Sequence, residues 1–446
     1  MRESTDPSAG AEVTEDAAPA DRTDGPGRRS LLRQRDFRLF WAGETASVFA
    51  GNATGLILPL LAVTVLDSSP LTLGFLAAAV WLPWLLIGLP AGAWVDRLPK
   101  RPVMITCNLV SAVLLISVPL AWYAGTLTVA QLLVVALVTG GATVFFVTAY
   151  HAYFPLLVGE RHLMEGNAKL QGSESAMLML GPSAGGVITQ AFGAATGVLM
   201  NAAAHLLSAV CLTRIRGRTP EDIRARPRTG LRAEMRDGLR FVLKDAYFKP
   251  IVLYGAMANL ALDGYQSIYV AFLIRTVGVN PVTVGVLIAA GGVGGILGAM
   301  VVRPLVRRFG TARGFLIGKF VATPFGLLMP VAGDGLAVLF FFAGLFVVDG
   351  SLVAGNVIMD SFRQAYCPPE LLGRVVATTT FIKYSTIPVG AVLGGFLGDH
   401  VGLRPTMWIM TGALVCCTAI LLWGPIRRMR DFPKEPVNPG AGAPGS

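Results

Sequence analysis

Charge is scarce in this chain. Asp, Glu, Lys and Arg make up 14% of its 446 residues, against roughly a quarter in a typical soluble protein. Nearly half of those charges lie in two stretches, residues 1–38 and 214–249. Histidine is limited to four positions, and the five cysteines (Cys107, Cys211, Cys367, Cys416, Cys417) have no metal-ligand spacing. A disulfide scaffold and a structural zinc are therefore unsupported, and no metal site is expected. No Gly-x-x-x-x-Gly-Lys-Ser/Thr loop is present to cradle a nucleotide phosphate. With no opposed nucleophile–base pair either, neither an enzyme nor a bound cofactor is expected.

What fills the chain is apolar. Hydrophobic residues reach 53% and the mean hydropathy is +0.61. Long greasy runs alternate with short polar turns, each run long enough to cross a hydrocarbon core of about 30 Å. A soluble enzyme, a coiled coil and a disordered regulator are excluded. An all-α polytopic membrane protein is expected, with twelve transmembrane helices at about 40–66, 72–95, 102–124, 128–153, 168–191, 195–214, 250–274, 281–302, 312–332, 336–359, 376–398 and 404–424. A β-barrel is not competitive, because these runs far exceed a membrane strand and lack sustained alternation.

Charge sets the orientation. The turns after even-numbered spans carry the basic residues: Arg97, Lys100 and Arg101; then eleven Lys and Arg between Arg214 and Lys249; then Arg303, Arg307, Arg308 and Arg313. The opposite turns hold little beyond Asp67, Arg275, Asp334, Asp399 and Arg404. By the positive-inside rule both termini are cytoplasmic, in the cell (inner, cytoplasmic) membrane. The expected organisation is a cytoplasmic tail at 1–36, a six-helix bundle at 37–214, a cytoplasmic linker at 215–249, a second six-helix bundle at 250–426 and a tail at 427–446. Leu231 to Lys244 has helical apolar periodicity with a basic face, suited to lying on anionic lipid headgroups, as are the basic turns. No groove-reading element accompanies these charges, so nucleic acid is not an expected partner.

The halves echo one another. Tyr153-Phe154-Pro155 ends the fourth span and Tyr366-Cys367-Pro368 follows the tenth; Pro182 with Gly185-Gly186 lies in the fifth, and Pro388 with Gly394-Gly395 in the eleventh. Weak internal symmetry of this kind is the trace of duplicated bundles.

These features resemble the major facilitator superfamily. Gly92, Asp96, Arg97, Lys100 and Arg101 match its signature turn between the second and third helices, with Pro99 where the family usually has Gly. Gly181-Pro182-Ser-Ala-Gly185-Gly186 is similar to the end of a fifth-helix motif associated with antiporters. Phe37-Arg38-Leu39-Phe40-Trp41 followed by Gly51-Asn52 resembles the bacterial drug-efflux branch that includes macrolide and enterobactin exporters; an acid often stands at the position of Asn52. The resemblance implies the major facilitator fold and a proton-coupled antiporter exporting a small amphipathic organic compound by alternating access, functional as a monomer. An importer of a small nutrient or siderophore shares the fold. A non-transporting membrane sensor or assembly protein would bind without turnover.

Physical chemistry gives the motifs work to do. Gly92 permits close helix contact, and Asp96 among Arg97, Lys100 and Arg101 suits a conformational latch, the alternative being charges that only record topology. Pro182 removes a backbone hydrogen bond, giving either a rocking kink or a static one. Ionisable residues within spans mark function by default, and here they are Glu44, Glu174, Asp263, Asp349, Lys319 and Lys383, with His151 and His205. Asp263 leads, one turn from Asn259 and close to Gln266, as a carboxylate able to bind a proton, neutralise a cationic substrate or pair with Lys383. Asp349, Glu174 and Glu44 are further coupling candidates, Glu44 being near enough to the cytoplasmic end for a structural or latch role. Trp81, Trp84, Tyr150, Tyr265 and Tyr269, with Asn52, Asn259, Gln266 and Lys383, are cavity candidates. His205, beside Asn201, suits a hydrogen-bonded core position, the alternative being a proton relay.

Overall fold

A computed structural model describes residues 31–159, 162–216, 239–367 and 369–433. The long helices in chain order are α1 (Arg35–Thr64), α2 (Pro70–Asp96), α3 (Lys100–Tyr123), α4 (Val129–Val158), α5 (Leu163–Phe192), α6 (Ala194–Thr213), α7 (Phe248–Gln266), α8 (Pro281–Phe309), α9 (Thr311–Ala322), α10 (Val338–Tyr366), α11 (Pro369–His400) and α12 (Leu403–Cys417). Among the described residues, ten helical stretches are long and apolar enough to cross a membrane. The stretches left out are α5 and α7. The first opens with Glu165 and Lys169 and carries Glu174 further in, and the second spends Lys249 and Asp263 within 19 residues. Both are nonetheless packed among the apolar helices.

Three spans change character part-way. After Gln266, α7 gives way at Ser267–Ile268 to a helical turn, Tyr269–Ala271, and then a π-helical turn, Phe272–Val277. The Ser267 hydroxyl lies 3.0 Å from the Gly264 carbonyl and 3.1 Å from that of Ala391 on α11, which ties the break to a neighbour. Helix α9 ends at Ala322 and continues as 3-10 helix over Thr323–Val331, because Pro324 has no N–H to donate and crowds the preceding turn. Helix α12 similarly passes into 3-10 helix over Thr418–Trp423.

Packing follows the same plan twice. In the first half α1 lies against α5 and α6, α3 against α4 and α6, and α2 against α4; in the second, α7 lies against α11 and α12, the α9 stretch against α10 and α12, and α8 against α10. The Tyr269–Ala271 turn packs on α1, and two large junctions join the halves, α2 with α11 and α5 with α8. Both depend on absent side chains. A Cβ at Gly74 would stand 2.6 Å from the Ala391 carbonyl oxygen, and one at Gly186 would stand 2.5 Å from that of Pro281. Backbones meet there because glycine lets them.

These junctions sit toward the end of the molecule farthest from the chain termini. Arg275, beyond α7, donates to Asp67, beyond α1, at 2.6 Å; Gln190 accepts from Val282 N–H at 3.3 Å; Arg404 donates to the Ala332 carbonyl at 2.9 Å. The terminal end is stitched separately. Arg101 of α3 donates to the Leu212 and Thr213 carbonyls at 2.7 and 2.6 Å, satisfying acceptors that the end of α6 leaves open. Asp245 accepts from the Tyr247 and Phe248 N–H groups, each at 2.8 Å, and from the Tyr366 hydroxyl at 2.6 Å.

Both chain ends extend the packed structure past the expected tail boundaries of 36 and 427. Leu31 is fully buried and its N–H donates to Glu165 at 3.3 Å. Asp431 accepts from Thr311 N–H at 2.8 Å, capping α9, and Phe432 stacks on Phe362 with centroids 4.5 Å apart. An apolar ring over an open helix start explains why the second boundary moves outward. Most of the linker, including Leu231 to Gly238 of its amphipathic stretch, lies outside the described residues; 239–244 are helical.

Candidate functional site

The second half encloses a cavity of about 290 Å³ between α7, α9, α10, α11 and α12. Its apolar wall includes Phe248, Tyr254, Leu262, Phe315, Val348, Phe362 and Leu414; its polar groups are Asn259, Lys319, Ser351, Asn356, Asp360, Arg363, Thr379, Thr380, Lys383 and Tyr384. These come from the terminal-end portions of the five helices, so the cavity lies toward that end.

Several of these polar groups are held by neighbouring helices. Lys319 is buried; its Nζ donates to the Ser351 carbonyl at 2.8 Å and lies 5.9 Å from the Phe315 ring centre. Gly355 makes room for it, since a Cβ there would stand 2.6 Å from Lys319 Cε. Asn259 donates to the Lys383 carbonyl at 3.2 Å, tying α7 to α11. Arg363 pairs with Asp360, one turn before it on α10, and donates to Thr379 at 3.1 Å. At the rim, Trp81 and Trp84 of α2 each bring a ring within 5.6 Å of Tyr384, linking the first half to this cavity.

The expected residues divide into three groups. Asn259 and Lys383 line the cavity, with Asp263 beside it on α7, next to the lining residue Leu262. Asp263 and Lys383 act on each other through their electric fields, yet no ion pair within 4 Å joins them among the described residues. Asp349 belongs elsewhere. It packs where α10 passes Gly291 of α8, and it faces Tyr265 of α7 and Tyr269 of the turn that follows. Tyr265 is fully buried, and its hydroxyl faces Gln266 without a hydrogen bond of ordinary geometry.

The third group is in the first half. Glu44 and Glu174 share a field with each other and with Tyr150. Glu44 Oε2 is buried with no hydrogen-bond partner, while Glu174 accepts from Gln171 at 3.2 Å. Tyr150 stacks on Phe40 at 5.6 Å. Asn52 turns back on its own helix, donating to the Val48 carbonyl at 2.9 Å. Nearby, His205 Nδ1 lies 3.0 Å from Asn108 Oδ1, and Asn108 donates to Ser208 at 2.9 Å.

The motif residues take defined places. Gly181 and Gly185 face Asn52 and Ile57 of α1, while the Pro182 carbonyl and Gly186 face Gly285 and Pro281 of α8. The motif thus seats α5 between a helix of its own half and one of the other. Gly92 and Asp96 close α2, Arg97 is its C-cap, and Lys100 opens α3.

Sequence reasoning does not single out Arg363, Asp360, Ser351 and Thr379 as site residues, and it marks Lys319 only as an ionisable residue within a span. The tenth span is expected to end near 359, whereas α10 runs to Tyr366, carrying Asp360 and Arg363 into the cavity wall. The signal available is the unbroken helical run Asp360-Ser-Phe-Arg363 ahead of Pro368.

Against known proteins, the family model described as Major Facilitator Superfamily matches residues 40–390. Among characterised relatives, the multidrug efflux pump Tap of Mycolicibacterium fortuitum is 26% identical over 409 residues, covering 88% of this chain and 97% of Tap. Macrolide efflux protein A of Streptococcus pyogenes is 20% identical, covering 86% of this chain and 94% of its own. The same fold is seen in the nucleoside transporter NupG (TM-score 0.70, 11% identity, 87% of this chain and 98% of that one). A bacterial homologue of the iron transporter ferroportin superposes with a TM-score of 0.72 in its inward-facing state (16% identity, 89% and 99% covered) and 0.57 in its outward-facing state (15% identity, 87% and 99% covered).

Proposed function

Since the chain belongs to the Major Facilitator Superfamily, a family of membrane transporters and not of enzymes, we propose that it is a proton-coupled antiporter exporting a small amphipathic organic compound. Twelve spans would form two bundles, 37–214 and 250–426, that rock about their junctions to expose one site to each side in turn. Both termini face the cytoplasm, as the basic turns require, and the protein works as a monomer. The distant similarity to multidrug and macrolide efflux proteins supports the outward direction.

The observation that carries this reading is a carboxylate within a span, Asp263, beside a mostly apolar cavity that lies toward the terminal end, while glycine contacts bring the halves together at the far end. That is the arrangement of a state receiving solute from the cytoplasm, and the better superposition on an inward-facing relative supports it. A proton bound at Asp263 changes the charge beside the cavity, and the helices that hold it must move for the other side to open. The Asp96 turn acts as the latch of the opposite state, and Pro182 as the kink on which α5 rocks.

Everted membrane vesicles test it. An exporter accumulates compound when the lumen is made acid, and a gradient of pH that moves none of a panel of amphipathic drugs would sink the reading. A second reading, uptake, is favoured by Lys383 beside Asp263. Protonating Asp263 would free Lys383 for a solute anion, so proton and solute would travel together. Release of preloaded compound on acidifying the lumen would identify that direction.

A further inference from the structure

We propose that the second-half cavity contains an anion subsite between Lys319 of α9 and Lys383 of α11, and that the solute carries a carboxylate on an apolar body. The inference rests on the reading that substrate binds in this cavity.

The charges do not balance within the wall. Three cations line it, Lys319, Lys383 and Arg363, against one carboxylate, Asp360. Asp360 is taken up by Arg363. Lys319 commits one of its three N–H donors, to the Ser351 carbonyl. Lys383 has no hydrogen-bond or ion-pair partner among the described residues, although its carbonyl is held by Asn259. The two ammonium groups repel one another across the space. Asp263 is the remaining carboxylate whose field reaches Lys383, and it lies behind the wall, outside ion-pair distance. Like charges facing a common, largely apolar space, one buried and one half-buried, are stabilised by an anion placed between them. The rest of that wall, Phe248, Tyr254, Phe315 and Leu414, is apolar or aromatic, so the body attached to the anion is apolar. Trp81 and Trp84 extend this character to the rim.

Purified full-length protein in lipid nanodiscs would be titrated with 1-naphthoate, its methyl ester, 1-naphthylmethylammonium and inorganic phosphate, read by calorimetry. Naphthoate should bind at least about tenfold more tightly than the ester, the ammonium or phosphate, since hydrogen bonds to charged groups are worth about ten- to a hundredfold. Lys319→Gln and Lys383→Gln should each weaken naphthoate by about tenfold or more while leaving the ester unchanged. Lys383→Arg, which keeps the charge, should retain most of the affinity and separates charge loss from misfolding. No naphthoate binding, equal binding of the three naphthyl probes, phosphate binding as tightly as naphthoate, or Gln variants that keep naphthoate would each overturn the subsite. Vesicle transport is scored separately. If neutral or cationic drugs are driven by pH while naphthoate does not bind, the subsite falls and the transporter reading stands; if naphthoate binds yet no solute moves, the reverse holds.

Discussion

The two halves of this chain share a packing plan and differ in what they bury. Helix for helix, the neighbours of α1 to α6 have counterparts among α7 to α12, and the inter-half junctions are themselves a symmetric pair, α2 with α11 and α8 with α5. Their charges do not repeat. The first half places Glu44 and Glu174 in one field, with no ion pair to either within 4 Å among the described residues. The second sets Lys319 and Lys383 around a cavity, with Asp263 in the field of Lys383 behind its wall. Small residues at a junction are constrained by backbone contact, so both copies of the plan keep them. Interior charges are constrained only by what they must bind, and that is where the copies have separated.

The most damaging test of the asymmetry replaces one candidate coupling carboxylate in each half. Asp263→Asn should lose pH-driven accumulation almost completely, about a hundredfold or more, while still binding solute and exchanging it down a gradient. Glu174→Gln should leave most of the pH-driven rate. Proton release on adding solute to purified protein, compared across wild type and both variants, decides between them. If the two variants lose the same amount, or Asp263→Asn still releases its proton, the coupling is not confined to the second half.

Next in size is the latch, which the first half carries in fuller form than its counterpart at Arg303 to Arg313, where no acid is present. Asp96→Asn should reduce transport about tenfold with normal expression. Crosslinking between cysteines placed on the two halves at the terminal end should show more of the state open on that side. Unchanged crosslinking with normal transport would leave Asp96 as a marker of topology.

How much of this is legible in the sequence depends on the residue. Hydropathy locates the greasy runs, and the turns of Arg97, Lys100 and Arg101 and of Arg303 to Arg313 separate the ends. Hydropathy alone does not convey that α5 is helical from Leu163, through Glu165 and Lys169, because those charges, paired one turn apart, lower the hydropathy of a stretch that is still helical. Pro324 marks the end of α9 in the sequence, but how far the 3-10 helix after it runs, to Val331, is not legible there. Asp263 and Asn259 are legible as a polar stripe. The convergence of Lys319 and Lys383 is not, since they stand 64 positions apart in sequence and only the placing of α9 and α11 around one space makes both line it. A pairing of Asp263 with Lys383 is an open alternative in the sequence, and the structure puts the two in each other's field without an ion pair.

A smaller effect concerns how each half is closed at the terminal end. The first uses Leu31, fully buried, and the second uses Phe432, stacked on Phe362. Phe432→Ala and Leu31→Ala should each cost about 3 kcal/mol, the range for emptying a packed apolar site, seen as a melting temperature several degrees lower in detergent. Transport per folded molecule should be unchanged. A loss below about 0.5 kcal/mol in either would show that the segment rests on the bundle without being part of it.

The smallest effect is expected where the halves meet through charge alone. Arg275 donates to Asp67 at 2.6 Å across the far end, but the Asp67 side chain is 94% exposed. An exposed pair of this kind is worth about 0–1 kcal/mol, because water competes and two side chains must be held. The glycine contacts at Gly74 and Gly186, which bury backbone against backbone, should dominate closure instead. The informative substitution is Asp67→Asn rather than Ala. Asp67 has φ of 43°, and asparagine tolerates that left-handed conformation, so charge is removed without adding backbone strain. Far-end opening, measured by labelling of a cysteine placed beside Gln190, should rise by no more than about fivefold. Raising the ionic strength of the assay should bring wild type toward the variant, since exposed charges are screened. An opening of about fiftyfold that salt does not mimic would mean that this ion pair, and not the glycine junctions, holds the two halves together on that side.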